Sequence, residues 1–230
     1  MRTSQPSIAE LRAATQPPQI FERNSGEHWA GRLYIRRFSP YATRVFLRLG
    51  LSPDAVTWLF VLTGVAAAAL LAVDGILPVV GAVVLIQLQI LLDCSDGEVA
   101  RWQGRSSPRG IYLDRVGHYL TEAGLPIALG IRADELTLGL VLAVLVLLIK
   151  SETALVHVAR AESGKPPADD RREVAAPRGS LLRSLRRAAG LVPFYRAFVA
   201  MEFTLLALVP VAALTALGHL AAVLASDRLR

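Results

Sequence analysis

Two stretches without a formal charge, Val56–Val73 and Gly75–Leu92, stand back to back with only Asp74 between them. Each approaches the roughly 20 residues an α-helix needs to cross the hydrocarbon of a bilayer. Lipid is the solvent that suits two such uniformly apolar helices in immediate succession. Composition agrees. Of the 230 residues, 53% are hydrophobic and 19% charged, whereas a soluble domain carries about 25% charge.

Local signals place the other elements around this pair. Ser52 and Pro53 read as a helix cap and first helical position. Asp74-Gly75 is a turn short enough to make its two helices antiparallel. Ile111–Ile131 reads as a third span despite Asp114, Arg115, His118 and Glu122, since charge at such depth faces a protein interior or a wet cavity. After a turn at Arg132–Glu135, Leu136–Ile149 is a fourth, with Lys150 and Glu152 near its end and a helix able to run on toward Arg160. Phe203–Ala225, with Pro210 inside it, supplies a fifth. Splitting the region from Val192 gives a sixth.

Upstream, residues 28–50 mix Trp29, Phe38, Tyr41 and Val45 with five arginines. That pattern fits an amphipathic helix lying in the headgroup layer, or else a cytoplasmic helix packed on the others. Residues 1–27 are polar, with Pro17 and Pro18, and lack the apolar core of a secretory signal. They read as a flexible cytoplasmic tail. The expected fold is therefore all-α: a polytopic membrane helix bundle of five or six spans with an N-terminal interfacial amphipathic helix, 28–230 forming one membrane-embedded domain.

The basic residues set an orientation. Arg101, Arg105 and Arg109 lie in one connector and several arginines with Lys165 in 160–187, while the turns at 74–75 and 132–135 hold a single basic residue. The positive-inside rule puts the N-terminus and both basic connectors in the cytoplasm. A net charge of +6 distributed this way fits an anionic membrane surface or a phosphorylated substrate rather than nucleic acid. Cys94 is the sole cysteine, which excludes an intrachain disulfide and a cysteine-rich zinc site. It reads as a small neutral side chain. His28, His157 and His219 read as surface, interfacial or packing residues.

The run DCSDGEVAR, 93–101, places carboxylates at the end of the second apolar stretch. Asp93 and Asp96 are three apart and share a helix face; Glu98 points elsewhere and reads as a rim charge. Asp114 and His118, four apart, share a face of the next span. Antiparallel helices then bring Asp93, Asp96, Asp114 and His118 together near the cytoplasmic surface. Several carboxylates in one pocket repel, and a divalent cation relieves this. Oxygen donors suit magnesium or manganese, which commonly hold phosphates. Arg101 and Arg105 are natural phosphate partners for the same ligand. The small Gly97 leaves space for something bulky.

The spacing over 93–118 resembles the signature of the CDP-alcohol phosphotransferase (CDP-alcohol phosphatidyltransferase) family: Asp, two residues, Asp-Gly, two residues, Ala-Arg, eight residues, Gly, three residues, Asp, three residues, Asp. Asp93, Asp96, Gly97, Ala100, Arg101, Gly110 and Asp114 stand at matching places, and SPDAVT, 52–57, looks like the opening of the family's first span. The resemblance implies a homodimeric membrane enzyme of phospholipid biosynthesis. An alcohol attacks the distal phosphorus of a CDP-linked donor, CDP-diacylglycerol or a similar lipid, and CMP leaves. It also implies that Asp93, Asp96 and Asp114 hold two Mg2+ or Mn2+ ions. Gly97, Ala100, Arg101 and Gly110, with Thr57 nearby, would line the CDP pocket.

His118 departs from the pattern, since it stands where the family has its fourth Asp. It is a substituted base for the acceptor alcohol, a nitrogen ligand, or a change that disables the usual chemistry, with Glu122 one turn on as partial compensation. Arg105, Lys150, Arg160 and Arg196 form a basic pocket for a phosphorylated acceptor, or else anchor lipid headgroups. Two other readings stand beside the transferase: a transporter, whose spans also carry charges, and a catalytically weak scaffold, which His118 would fit. Release of CMP separates the enzyme from both.

Overall fold

The computed structural model describes residues 6–17 and 34–164, with helical residues at 210, 212–214, 216–218 and 220–221. Among the described residues the elements are helices: α1 (Ile8–Thr15), α2 (Arg36–Arg48), α3 (Pro53–Leu71), α4 (Ile76–Gln103), α5 (Pro108–Arg132) and α6 (Leu136–Glu162). Three of them, α3, α4 and α6, are long and apolar enough to cross a membrane. The fifth and sixth expected spans fall largely outside the described residues. The expected third span is present as α5, but its internal charges keep it out of the apolar class.

The helix boundaries follow from capping chemistry. The Ser52 hydroxyl accepts the Ala55 N–H at 3.2 Å, and Ser107 accepts that of Gly110 at 3.0 Å. Each serine precedes a proline, whose missing N–H costs nothing in a first turn. Helix α1 starts with a full capping box, Ser7 and Glu10 each satisfying the other's backbone. So part of the stretch expected to be a flexible tail is a capped helix. At the other ends, Gly50 and Gly104 take left-handed φ of 68° and 65°. Each allows the next residue's N–H to reach back, Leu51 to Phe46 O and Arg105 to Ala100 O.

The chain packs as two units. The first draws on Met1–Ala67 and Val80–Thr121. Its core joins Val56, Phe60 and Val61 of α3 to Leu92 and Val99 of α4. The start of α3 thus meets the end of α4, the antiparallel pairing expected from the short turn. Helix α5 comes close to α3 because Gly117 lies against Phe60 and Val61, and Gly64 against Thr121. Gly64 therefore serves packing within the chain.

The second unit draws on Ala68–Val79 and Glu122–Arg230. Gly130 and Gly139 bring the backbones of α5 and α6 together, and Arg132 donates to Val73 O at 2.8 Å. Within it Lys150 of α6 pairs with Glu122 of α5 at 2.7 Å. Outward positions are apolar on all three spanning helices: Leu62 and Val65 on α3, Leu77 and Val84 on α4, Val144 and Leu155 on α6. Such faces are stable against lipid tails and costly against water.

Candidate active site

The last turns of α4 and first turns of α5 carry the site. Asp93, Asp114 and His118 each offer one donor atom, and the three atoms lie within 4.8 Å of one another. His118 Nε2 is 3.0 Å from Asp93 Oδ1 and 3.5 Å from Asp114 Oδ1. The imidazole is held in register by Phe60, whose ring centroid is 5.0 Å away. All three side chains stay partly exposed, so a ligand can reach them. Two carboxylates and an imidazole fit a divalent cation; the nitrogen makes the set less hard than the all-oxygen one magnesium prefers and keeps manganese well suited.

Asp96 occupies a different setting. It is buried, accepts the Thr57 hydroxyl at 2.9 Å and takes its own neighbour's N–H, that of Gly97, at 2.5 Å. Its carboxylate is therefore oriented from two sides and falls outside the tight three-residue group. Thr57, expected beside a nucleotide, holds Asp96. The space expected at Gly97 is taken by the guanidinium of Arg101: a Cβ there would sit 3.0 Å from Arg101 Nη1. Arg101 closes the last turn of α4 rather than lying in a polar connector. Gly110 lets the first turn of α5 approach Asp54, which also faces Arg109 at 3.7 Å.

The expected rim charge is a correction. Glu98 is fully buried. It accepts from Ser39 Oγ at 2.5 Å, Thr43 Oγ1 at 2.7 Å, Gln16 Nε2 at 2.8 Å and Arg36 Nη1 at 3.3 Å. Arg36, Ser39 and Thr43 are spaced three and four apart, so they share one face of α2. That polar face on an otherwise apolar and basic helix was the legible signal for a buried acceptor.

The residues expected to form a basic pocket are divided between the two units and the undescribed region. Arg105 is exposed in the first unit, Lys150 and Arg160 belong to the second, and Arg196 lies outside the described residues. Lys150 is engaged by Glu122, whose Oε1 is 2.7 Å from Lys150 Nζ.

The sequence pattern of CDP-alcohol phosphatidyltransferases matches residues 50–224, which include every residue of this site. The chain belongs to that family. With three helices apolar enough to span, it is an integral membrane protein. The archaetidylinositol phosphate synthase of Aeropyrum pernix is 37% identical over 99 residues, 41% of this chain. The match spans about half of that relative, 50% of its length. The fold is that of the phosphatidylinositol phosphate synthase of Mycobacterium tuberculosis, solved in complex with manganese and citrate. The TM-score is 0.54 at 20% identity, covering 82% of this chain and 90% of that one. Within the segment that matches the family, His118 Nε2 faces the carboxylates of Asp93 and Asp114.

Proposed function

We propose that this protein transfers a substituted phosphate from a CDP-linked lipid, CDP-diacylglycerol, to an alcohol and releases CMP. The observation that carries the reading is the convergence of Asp93, Asp114 and His118 on one point, beside a buried Asp96, in a chain with the family signature. Asp93, Asp96 and Asp114 would hold the divalent cations, with His118 Nε2 completing the donor set. Such ions neutralise the pyrophosphate and stabilise the leaving CMP.

The residues themselves supply positioning. Arg101 meets the donor's phosphates, and Gly97 and Ala100 leave a shallow face on α4 for the nucleoside. The alcohol oxygen attacks the phosphorus distal to the cytidine. The bond from that phosphorus to the CMP oxygen breaks, its electron pair leaves with CMP, and the alcohol's proton passes to a carboxylate oxygen of the partly exposed Asp114. His118 already faces the carboxylates with Nε2, so the ligand role needs no rearrangement; the base role requires that nitrogen to be free. We assign the ligand role.

The acceptor we propose is a phosphorylated polyol of the inositol phosphate type, received by basic side chains among Arg105, Lys150, Arg160 and Arg196. This rests on the name of the Aeropyrum relative and the surplus of cations in those connectors. We further propose five or six spans, an interfacial α2 whose exposed Phe38, Tyr41 and Val45 enter the lipid, a homodimer, and a site facing the cytoplasm.

The test is CMP release from protein reconstituted in liposomes with CDP-diacylglycerol, Mn2+ or Mg2+ and a panel of alcohols. Metal-dependent release that Asp96→Asn abolishes is the expected result. His118→Asp should keep activity and move the preference from Mn2+ toward Mg2+, because it restores an oxygen donor. Release only from His118→Asp identifies a disabled site. Solute flux without CMP release from either protein would replace the transferase with a transporter.

A further inference from the structure

Glu98 occupies an unspecified position of the family signature, yet it is among the most heavily coordinated carboxylates described. Its four donors come from Gln16, just past α1, and from Arg36, Ser39 and Thr43 of α2. Gln16 also donates to Arg36 O at 2.9 Å, tying the end of α1 to the start of α2. One residue earlier, the Thr15 carbonyl accepts Arg101 Nε at 2.7 Å. Helix α1 is seated beyond these bonds: Leu11 is fully buried, and Arg12 reaches Arg37 O at 3.0 Å.

Arg101 has a long, flexible stem, and a guanidinium free to swing loses much of its worth as a phosphate fork. Here Nε is pinned by Thr15 and Nη1 is laid over Gly97, while the residue keeps a solvent-exposed surface. Both Nη atoms of the guanidinium thus lie beside Gly97 on α4. We propose that Glu98 and Gln16 form a latch that docks α1 on the end of α4 and thereby positions Arg101 for the donor's pyrophosphate. Both are positioning residues. The inference rests on the reading of Arg101 as a donor ligand.

The test uses the full chain in liposomes and measures CMP release against CDP-diacylglycerol and acceptor concentrations. Gln16→Glu sets a second carboxylate against Glu98, and Leu11→Asp places a charge at a fully buried position of α1 while leaving the sequence of α3 to α5 intact. Hydrogen exchange over 8–16 verifies that α1 has been released. Each variant should raise the donor KM about five- to tenfold, the worth of orienting one charge-assisted hydrogen bond. The acceptor KM should stay unchanged and kcat within about twofold. Exchanging the pair, Gln16→Glu with Glu98→Gln, should restore the donor KM.

An unchanged donor KM with α1 released overturns the proposal. So does a lower donor KM, which would mean that Thr15 withholds Arg101. Loss of kcat and both KM values together, without rescue by the exchanged pair, reduces the latch to general stability and also overturns it. A native protein that neither binds CDP-diacylglycerol nor releases CMP sinks the functional reading itself, a result distinct from an active enzyme with indifferent variants.

Discussion

At the residue scale, what a carboxylate does here is set by the donors that reach it. Asp93 and Asp114 meet a titratable nitrogen and stay open to ligand. Asp96 is held by Thr57 and its own backbone turn. Thr57→Val keeps shape but removes that hydroxyl, so CMP release should fall about 10- to 100-fold, as for loss of a metal ligand's supporting partner. The melting temperature in detergent should change little by comparison. Glu98 is the opposite case, a carboxylate buried with Arg36, whose side chain is itself only 12% exposed. Glu98→Ala strands that cation and three further donors. It should cost about 3–5 kcal/mol in a denaturation assay, and Glu98→Gln clearly less.

At the element scale, close approach of α5 to α3 positions His118. A Cβ at Gly117 would lie 2.5 Å from Phe60 Cε1 and 2.6 Å from Val61 Cγ2. Phe60 is fully buried and packs on the His118 ring, so it cannot yield without moving the site. Gly117→Ala should destabilise by about 1–3 kcal/mol through overpacking and lower CMP release further than the stability loss explains. Gly97→Ala is the contrast. Its new methyl meets the far end of the flexible Arg101, so the fold should survive, and a raised donor KM should be the main effect. Melting curves and donor titrations of the two variants distinguish these outcomes. The close approach at Gly117 was hidden in the sequence, where that glycine reads as one more small residue within a span.

At the scale of the whole molecule, membrane orientation decides which compartment supplies the substrate. The connector between α4 and α5 contains Arg105 and Arg109, and the turn between α5 and α6 contains Asp134 and Glu135. In a Cys94→Ala background, Ser106→Cys in intact cells should resist a membrane-impermeant maleimide and react once the membrane is opened. Ala133→Cys should react from outside. The reverse pattern would put the site on the outer face. Chelation should abolish CMP release, and Mn2+ should restore it.

The sequence alone determined the apolar helices, their turns and the ligand candidates. Charge-free runs, serine–proline caps and three- or four-residue spacings are local signals, and a helix is a local structure. It also exposed His118 as a departure, because a motif position is a matter of counting. The tertiary structure decided the uses of these groups. Glu98 became an interior anchor rather than a rim charge through partners 55 and 82 residues away in sequence. Thr57 turned to Asp96, Lys150 to Glu122, and α1 became a docked helix instead of a loose tail. Each depends on which helix faces pack together, and such long-range pairings are chosen by the sum of burial and hydrogen bonding over the fold, which no short stretch of the chain records.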